Sequence, residues 1–147
     1  MSRTSALRAQ HDRIEQLAGK LDREVMARRE GDDCDAIALL LAKLLGVLRI
    51  HLATEDQSLY PYMIDSGDQH ASGLVQHFQD EMGGLAGTVS QFAERWTCAR
   101  TMESGFADFR HELVAILSAL SKRIARENDQ LYPLADELAE RQQRMSA

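Results

Sequence analysis

The sequence predicts an all-α fold: an antiparallel up-down-up-down four-helix bundle, built as a pseudo-twofold repeat of one helical hairpin. Three observations lead there. Apolar residues recur at alternating spacings of three and four along four long stretches, the pattern of helices with one buried face. The breaks between the stretches are short, which favours antiparallel neighbours. Only 5% of the 147 residues are aromatic and two are proline, so a sandwich or barrel of many strands and turns is disfavoured. Residues 1–147 read as a single domain, long enough to bury roughly 70% of the unfolded surface.

The first helical stretch carries Leu7, His11, Ile14, Leu17, Leu21 and Val25, and stops at the polar run around Gly31. The second carries Ile37, Leu41, Leu44, Leu48, His51, Glu55, Leu59 and Tyr62, and stops near Ser66-Gly67-Asp68. The third runs His70, Leu74, His77, Glu81, Leu85, Thr88, Phe92 and fades after Trp96. After a break from Cys98 to Gly105, the fourth runs from Phe106 through Leu113, Leu120, Arg123 and Glu127 to Leu138. Gly83, Gly84 and Gly87 each weaken the third helix by about 1 kcal/mol relative to Ala. Pro61 and Pro133 each remove a backbone donor, so a kink or an ending is expected at both. Residues 141–147 are polar and expected to fray.

Charge and composition exclude several classes of partner. Seventeen Lys and Arg against 23 Asp and Glu give a net charge of −6, which argues against nucleic acid or an anionic membrane. No apolar run approaches the roughly 20 residues of a membrane span, and the N-terminus lacks the apolar stretch of a secretory signal. Cys34 and Cys98 form no zinc pattern or disulfide framework. A cytoplasmic protein is the expectation.

Two internal echoes organise the chain. The phrase from His51 to Pro61, His-Leu-Ala-Thr-Glu-Asp-Gln-Ser-Leu-Tyr-Pro, returns as Arg-Ile-Ala-Arg-Glu-Asn-Asp-Gln-Leu-Tyr-Pro from Arg123 to Pro133. More faintly, Gln10-His11-x-x-x-Glu15 returns as Gln76-His77-x-x-x-Glu81. His11, His51, Glu55, His77, Glu81, Arg123 and Glu127 therefore fall on or beside apolar stripes, where isolated charges are costly. A His-x-x-x-Glu pair points an imidazole and a carboxylate into one volume. Measured from the intervening turns, His11 lies about 27 Å and His51 about 24 Å along their helices. The same count places His77 and Arg123 about 32 and 33 Å from the last turn. All four polar clusters are thus expected in one layer. Imidazoles and bridging carboxylates facing inward from four helices are a means of holding iron or manganese.

In these residues the chain resembles the hemerythrin-like, HHE-type cation-binding domains, over essentially the whole stretch from His11 to Pro133. The resemblance implies a di-iron centre whose ligands fall on His11, His51, Glu55, His77 and Glu127. Arg123 stands where the family's fourth-helix histidine belongs, and a guanidinium has no lone pair to give a metal. Either Glu81, one turn beyond His77, replaces the missing ligand, or Arg123 itself takes the place of one cation and leaves a mono-iron site. Loss of all metal is a third outcome. Other divalent ions such as Mn or Zn are compatible with the donors. Tyr60 and Tyr132 read as packing residues with a polar tip.

The resemblance implies a protein that binds or senses O₂, NO or a related oxidant, or handles iron, more a binding protein than an enzyme. Its partners are then the metal ion and a small diatomic ligand, which Arg123 could orient through charge-assisted hydrogen bonds. The competing reading is a regulatory or protein-interaction bundle in which Arg123 locks the acids into a salt-bridge network.

Overall fold

A computed structural model describes residues 2–146, all-helical with no strand among them. The first helix, α1 (Ser5–Ala27), buries Leu7, His11, Ile14, Leu17, Leu21 and Val25, the stripe read from the sequence. Its entry is pinned by Asp136, whose carboxylate accepts from the Thr4 amide at 3.0 Å and from the Thr4 hydroxyl at 2.9 Å. Gly31 turns the chain with φ of 91°, a left-handed conformation that suits glycine.

The second arm comprises α2 (Asp35–Thr54), a wide π-turn (Glu55–Leu59) and α3 (Tyr60–Ile64). By length and composition this arm could cross a membrane, with a mean hydropathy of 1.9 over its most apolar window. Lys43 and Arg49 interrupt the apolar run, as read from the sequence, without lowering its average below that level. Its buried side, with Ile37, Leu41, Leu44, Leu48 and Leu52, belongs to the bundle core. Gly67, at φ 82°, and Asp68, whose carboxylate accepts from the Ala71 amide at 2.9 Å, start the next helix.

The third arm is not one helix. It divides into α4 (Gln69–Met82) and α5 (Leu85–Arg95) at Gly83-Gly84. The Gly83 amide closes on the Gln79 carbonyl at 2.7 Å, and a Cβ at Gly83 would stand 2.5 Å from that oxygen. A short α6 (Ala99–Ser104) occupies the break before α7 (Phe106–Arg126). A second π-turn (Glu127–Leu131) leads into α8 (Tyr132–Ser146). The tail expected to fray is helical to Ser146, tied by Arg141 to Asp68 at 3.1 Å and to Glu137 at 2.9 Å.

Both prolines have the same consequence: the regular α-helix stops before each, at Thr54 and at Arg126, and a π-turn follows. A proline ring clashes with the carbonyl four residues earlier and offers no N–H. The helix answers by widening: the Tyr60 amide bonds the Glu55 carbonyl, and the Tyr132 amide bonds the Glu127 carbonyl, each five residues back. Residues five apart on a regular α-helix point about 140° away from each other. The inserted residue closes that angle, so Glu55 and Tyr60, and likewise Glu127 and Tyr132, are buried together.

The apolar interior falls into two clusters. One gathers the C-terminal half of α1 with α2, α5, α6 and α7 around Leu21, Leu48, Phe109 and Trp96. The other gathers Leu7, Tyr60, Met63, Val75, Phe78, Tyr132 and Leu138. The buried polar residues lie between them.

Candidate metal centre

His11 from α1, His51 from α2, Glu55 and Glu127 from the two π-turns, and Arg123 from α7 are all at most 1% exposed. One donor atom from each of His11, His51, Glu55 and Glu127 lies within 4.8 Å of the others. His11 Nε2 is 2.9 Å from Glu127 Oε1, and His51 Nε2 is 3.2 Å from Glu55 Oε1. The other ring nitrogens point away and are held: His11 Nδ1 by Asn128 Oδ1 at 2.8 Å, His51 Nδ1 by Gln10 Oε1 at 2.7 Å. Amide oxygens only accept, so each Nδ1 carries a proton and each Nε2 faces the centre of the site.

The two π-turn carboxylates have different surroundings. Arg123 Nη2 donates to Glu55 Oε1 at 3.0 Å and Nε to Glu127 Oε2 at 3.4 Å. The guanidinium lies over the Phe78 ring at 5.4 Å and the Tyr60 ring at 5.8 Å. The tyrosines cross over: Tyr60 donates to Glu127 Oε2, and Tyr132 donates to Glu55 Oε2 at 2.5 Å.

Protonation follows from this crowding. Burial opposes a charge on His51, yet hydrogen bonds to Glu127 and Glu55 outweigh it and lift the imidazole to about 9. Burial, then the neighbouring Glu127, pushes Glu55 up to about 7. Burial also works against an ionised Glu127, but its hydrogen bonds to Glu55, His11 and His51 and the Arg123 charge hold it below the usual carboxylate range. Both phenols are raised, by burial first and by the adjacent carboxylates second.

The donor set fits a cation. Arg123, Tyr60 and Tyr132 supply hydrogens to both oxygens of Glu55 and to Oε2 of Glu127. These bonds leave Glu127 Oε1 in a wedge with His11 Nε2 at 2.9 Å and His51 Nε2 at 3.8 Å, which the Tyr132 hydroxyl borders at 3.0 Å from His11 Nε2. A positive charge suits that arrangement. It can be a proton, as the lifted His51 indicates, or a metal ion, which two imidazoles and two carboxylates suit.

Of the residues expected to meet in one layer, His77 and Glu81 are not brought there. Their side chains are 65% and 39% exposed and pair with each other at 2.6 Å, with Glu81 also bonded to Arg126. Phe78, the next residue, is buried in their stead against Tyr60 at 5.6 Å. The break at Gly83-Gly84 decouples α4 from the single-helix register on which the depth estimate rested. The sequence assigns no role to Gln10, Asn128 and Phe78, because each only adjoins a candidate ligand in the chain.

A helical bundle with buried imidazoles and carboxylates between two apolar clusters defines a class of metal-binding bundles. The chain belongs to the hemerythrin HHE cation-binding domain family, whose profile matches residues 2–135. No curated protein and no solved structure matches it.

Proposed function

We propose that this chain is a mononuclear iron-binding member of its family, with His11, His51, Glu55 and Glu127 as ligands. In this reading Arg123 holds the place of a second cation, and the helical arms run up-down-up-down around the layer. One observation carries the proposal: two imidazole Nε2 atoms and a Glu127 oxygen share one buried wedge into which neither Arg123 nor Tyr60 directs a hydrogen. On the opposite side Arg123 and Phe78 fill the space a second ion needs. An iron ion there supplies an open position for a diatomic ligand such as O₂ or NO. Arg123 remains charged beside the site, held by Glu55 and Glu127, while Tyr60 keeps its proton for Glu127. The apolar clusters on either side exclude water. The free thiols Cys34 and Cys98 suit a reducing cytoplasm.

Arg123 already bridges both acids, which favours a second reading: a metal-free interaction bundle closed by a salt-bridge network. Anaerobic titration of the metal-free chain with ferrous iron, followed by metal analysis, separates the two. One iron per chain supports the mononuclear site; two irons overturn it. No bound iron, with the melting temperature unmoved, leaves the interaction bundle.

A further inference from the structure

We propose that Tyr132 is a fifth protein ligand of the bound cation, an inference that rests on the mononuclear reading above. Tyr132 is fully buried, and its hydroxyl oxygen lies inside the cluster: 3.0 Å from His11 Nε2, 3.5 Å from His51 Nε2 and 2.5 Å from Glu55 Oε2. Its polar neighbours there are two imidazole nitrogens and a carboxylate oxygen, the donor atoms with which it would share an ion. Ligands bonded at about 2.0–2.2 Å to one ion stand about 3 Å apart when adjacent. The spacings from Tyr132 to His11 and His51 lie in that range.

The other tyrosine of the pair provides the contrast. Tyr60 occupies the equivalent place after its own π-turn, but Arg123 Nη2 donates to its oxygen at 3.3 Å. The guanidinium thus occupies the side from which a metal would approach Tyr60. Where the first phrase has His51 the second has Arg123, and that one difference makes two similar phenols unequal. The Tyr132 ring is also fixed, stacked on His11 at 5.0 Å and 15° with Arg8 over its face at 5.3 Å. A hard cation favours oxygen donors, and phenolate is an established ligand for ferric iron. On binding ferric iron, the Tyr132 O–H bond breaks, an oxygen–iron bond forms, and the proton leaves to solvent. The iron enters and remains ferric.

The test is to add ferric nitrilotriacetate to the metal-free full chain, then record bound iron, visible absorption and resonance Raman. A phenolate-to-iron charge-transfer band with enhanced tyrosine ring modes is expected, lost in Tyr132→Phe. Should that variant not fold, Tyr60→Phe/Tyr62→Phe leaves Tyr132 as the one tyrosine of the chain's three, and the band must persist in it. Bound iron without the band, a band that survives Tyr132→Phe, or its loss from the double variant each overturn the assignment while the metal site stands. Failure of the wild-type chain to bind iron overturns the metal reading and this inference together.

Discussion

Arg123 and Glu55 form a fully buried ion pair, Nη2 to Oε1 at 3.0 Å, at the level where the two π-turns face each other. The same guanidinium bridges to the second acid, with Nε 3.4 Å from Glu127 Oε2. Its placement explains how two acids tolerate burial beside each other. It also sets a limit on the positive charge that a bound ion must add.

Arg123→Met retains the length and apolar body of the side chain and deletes the charge. Removing one partner of a buried pair costs about 3–5 kcal/mol, so the metal-free variant should unfold at markedly lower urea than the wild type. An ion that binds only the folded state restores stability by mass action. Ferrous iron should therefore raise the urea midpoint of the variant more than that of the wild type. Equal midpoints without metal would show that the guanidinium does not support the acids.

Asn128 and Gln10 fix which nitrogen of each imidazole faces the site. Partners of this kind typically contribute about 10–100-fold to metal affinity. Asn128→Leu should weaken iron binding by that order in a competition titration with a chelator. The helical circular dichroism should be preserved, since Asn128 sits on a turn whose backbone bonds remain. Unchanged affinity would mean that His11 does not ligate through Nε2.

Much of this centre is legible in the sequence, and the exceptions share a cause. His11, His51, Glu55 and Glu127 lie on α-helical stripes, and helical arithmetic brings them to one level. Tyr60 and Tyr132 were readable only as packing residues, because five residues on a regular helix separate them from Glu55 and Glu127 by about 140°. The π-turns that cancel this angle arise from Pro61 and Pro133, whose presence was visible but whose effect was not. His77 fails for the complementary reason. Its stripe assumed an unbroken helix, and Gly83-Gly84 frees α4 to bury Phe78 instead.

His77→Ala tests that placement directly. His77 is mostly exposed and its pair with Glu81 is a surface contact, of a kind that contributes little. The substitution should shift stability by less than about 0.5 kcal/mol and leave iron stoichiometry unchanged by metal analysis. Loss of iron would show that α4 turns His77 inward when metal binds.

Acid stability should depend on Asp68 through its charge. Its carboxylate accepts from the Ala71 amide at the start of α4 and from Arg141 at 3.1 Å. The backbone bond chiefly, and then Arg141, hold its pKa below the ordinary aspartate value. A depressed folded-state pKa means stability that is present above the unfolded value and lost as pH falls through the folded one. Asn also caps helices well, so Asp68→Asn keeps the cap and deletes the charge. Thermal melts from about pH 5 down to about pH 2 should show the wild type more stable at the upper end, with the two proteins converging as the carboxylate protonates. The other carboxylates titrate in both chains and cancel in the difference. A gap that stays constant across the range would mean that the Asp68 charge contributes nothing, leaving only the neutral cap to start α4.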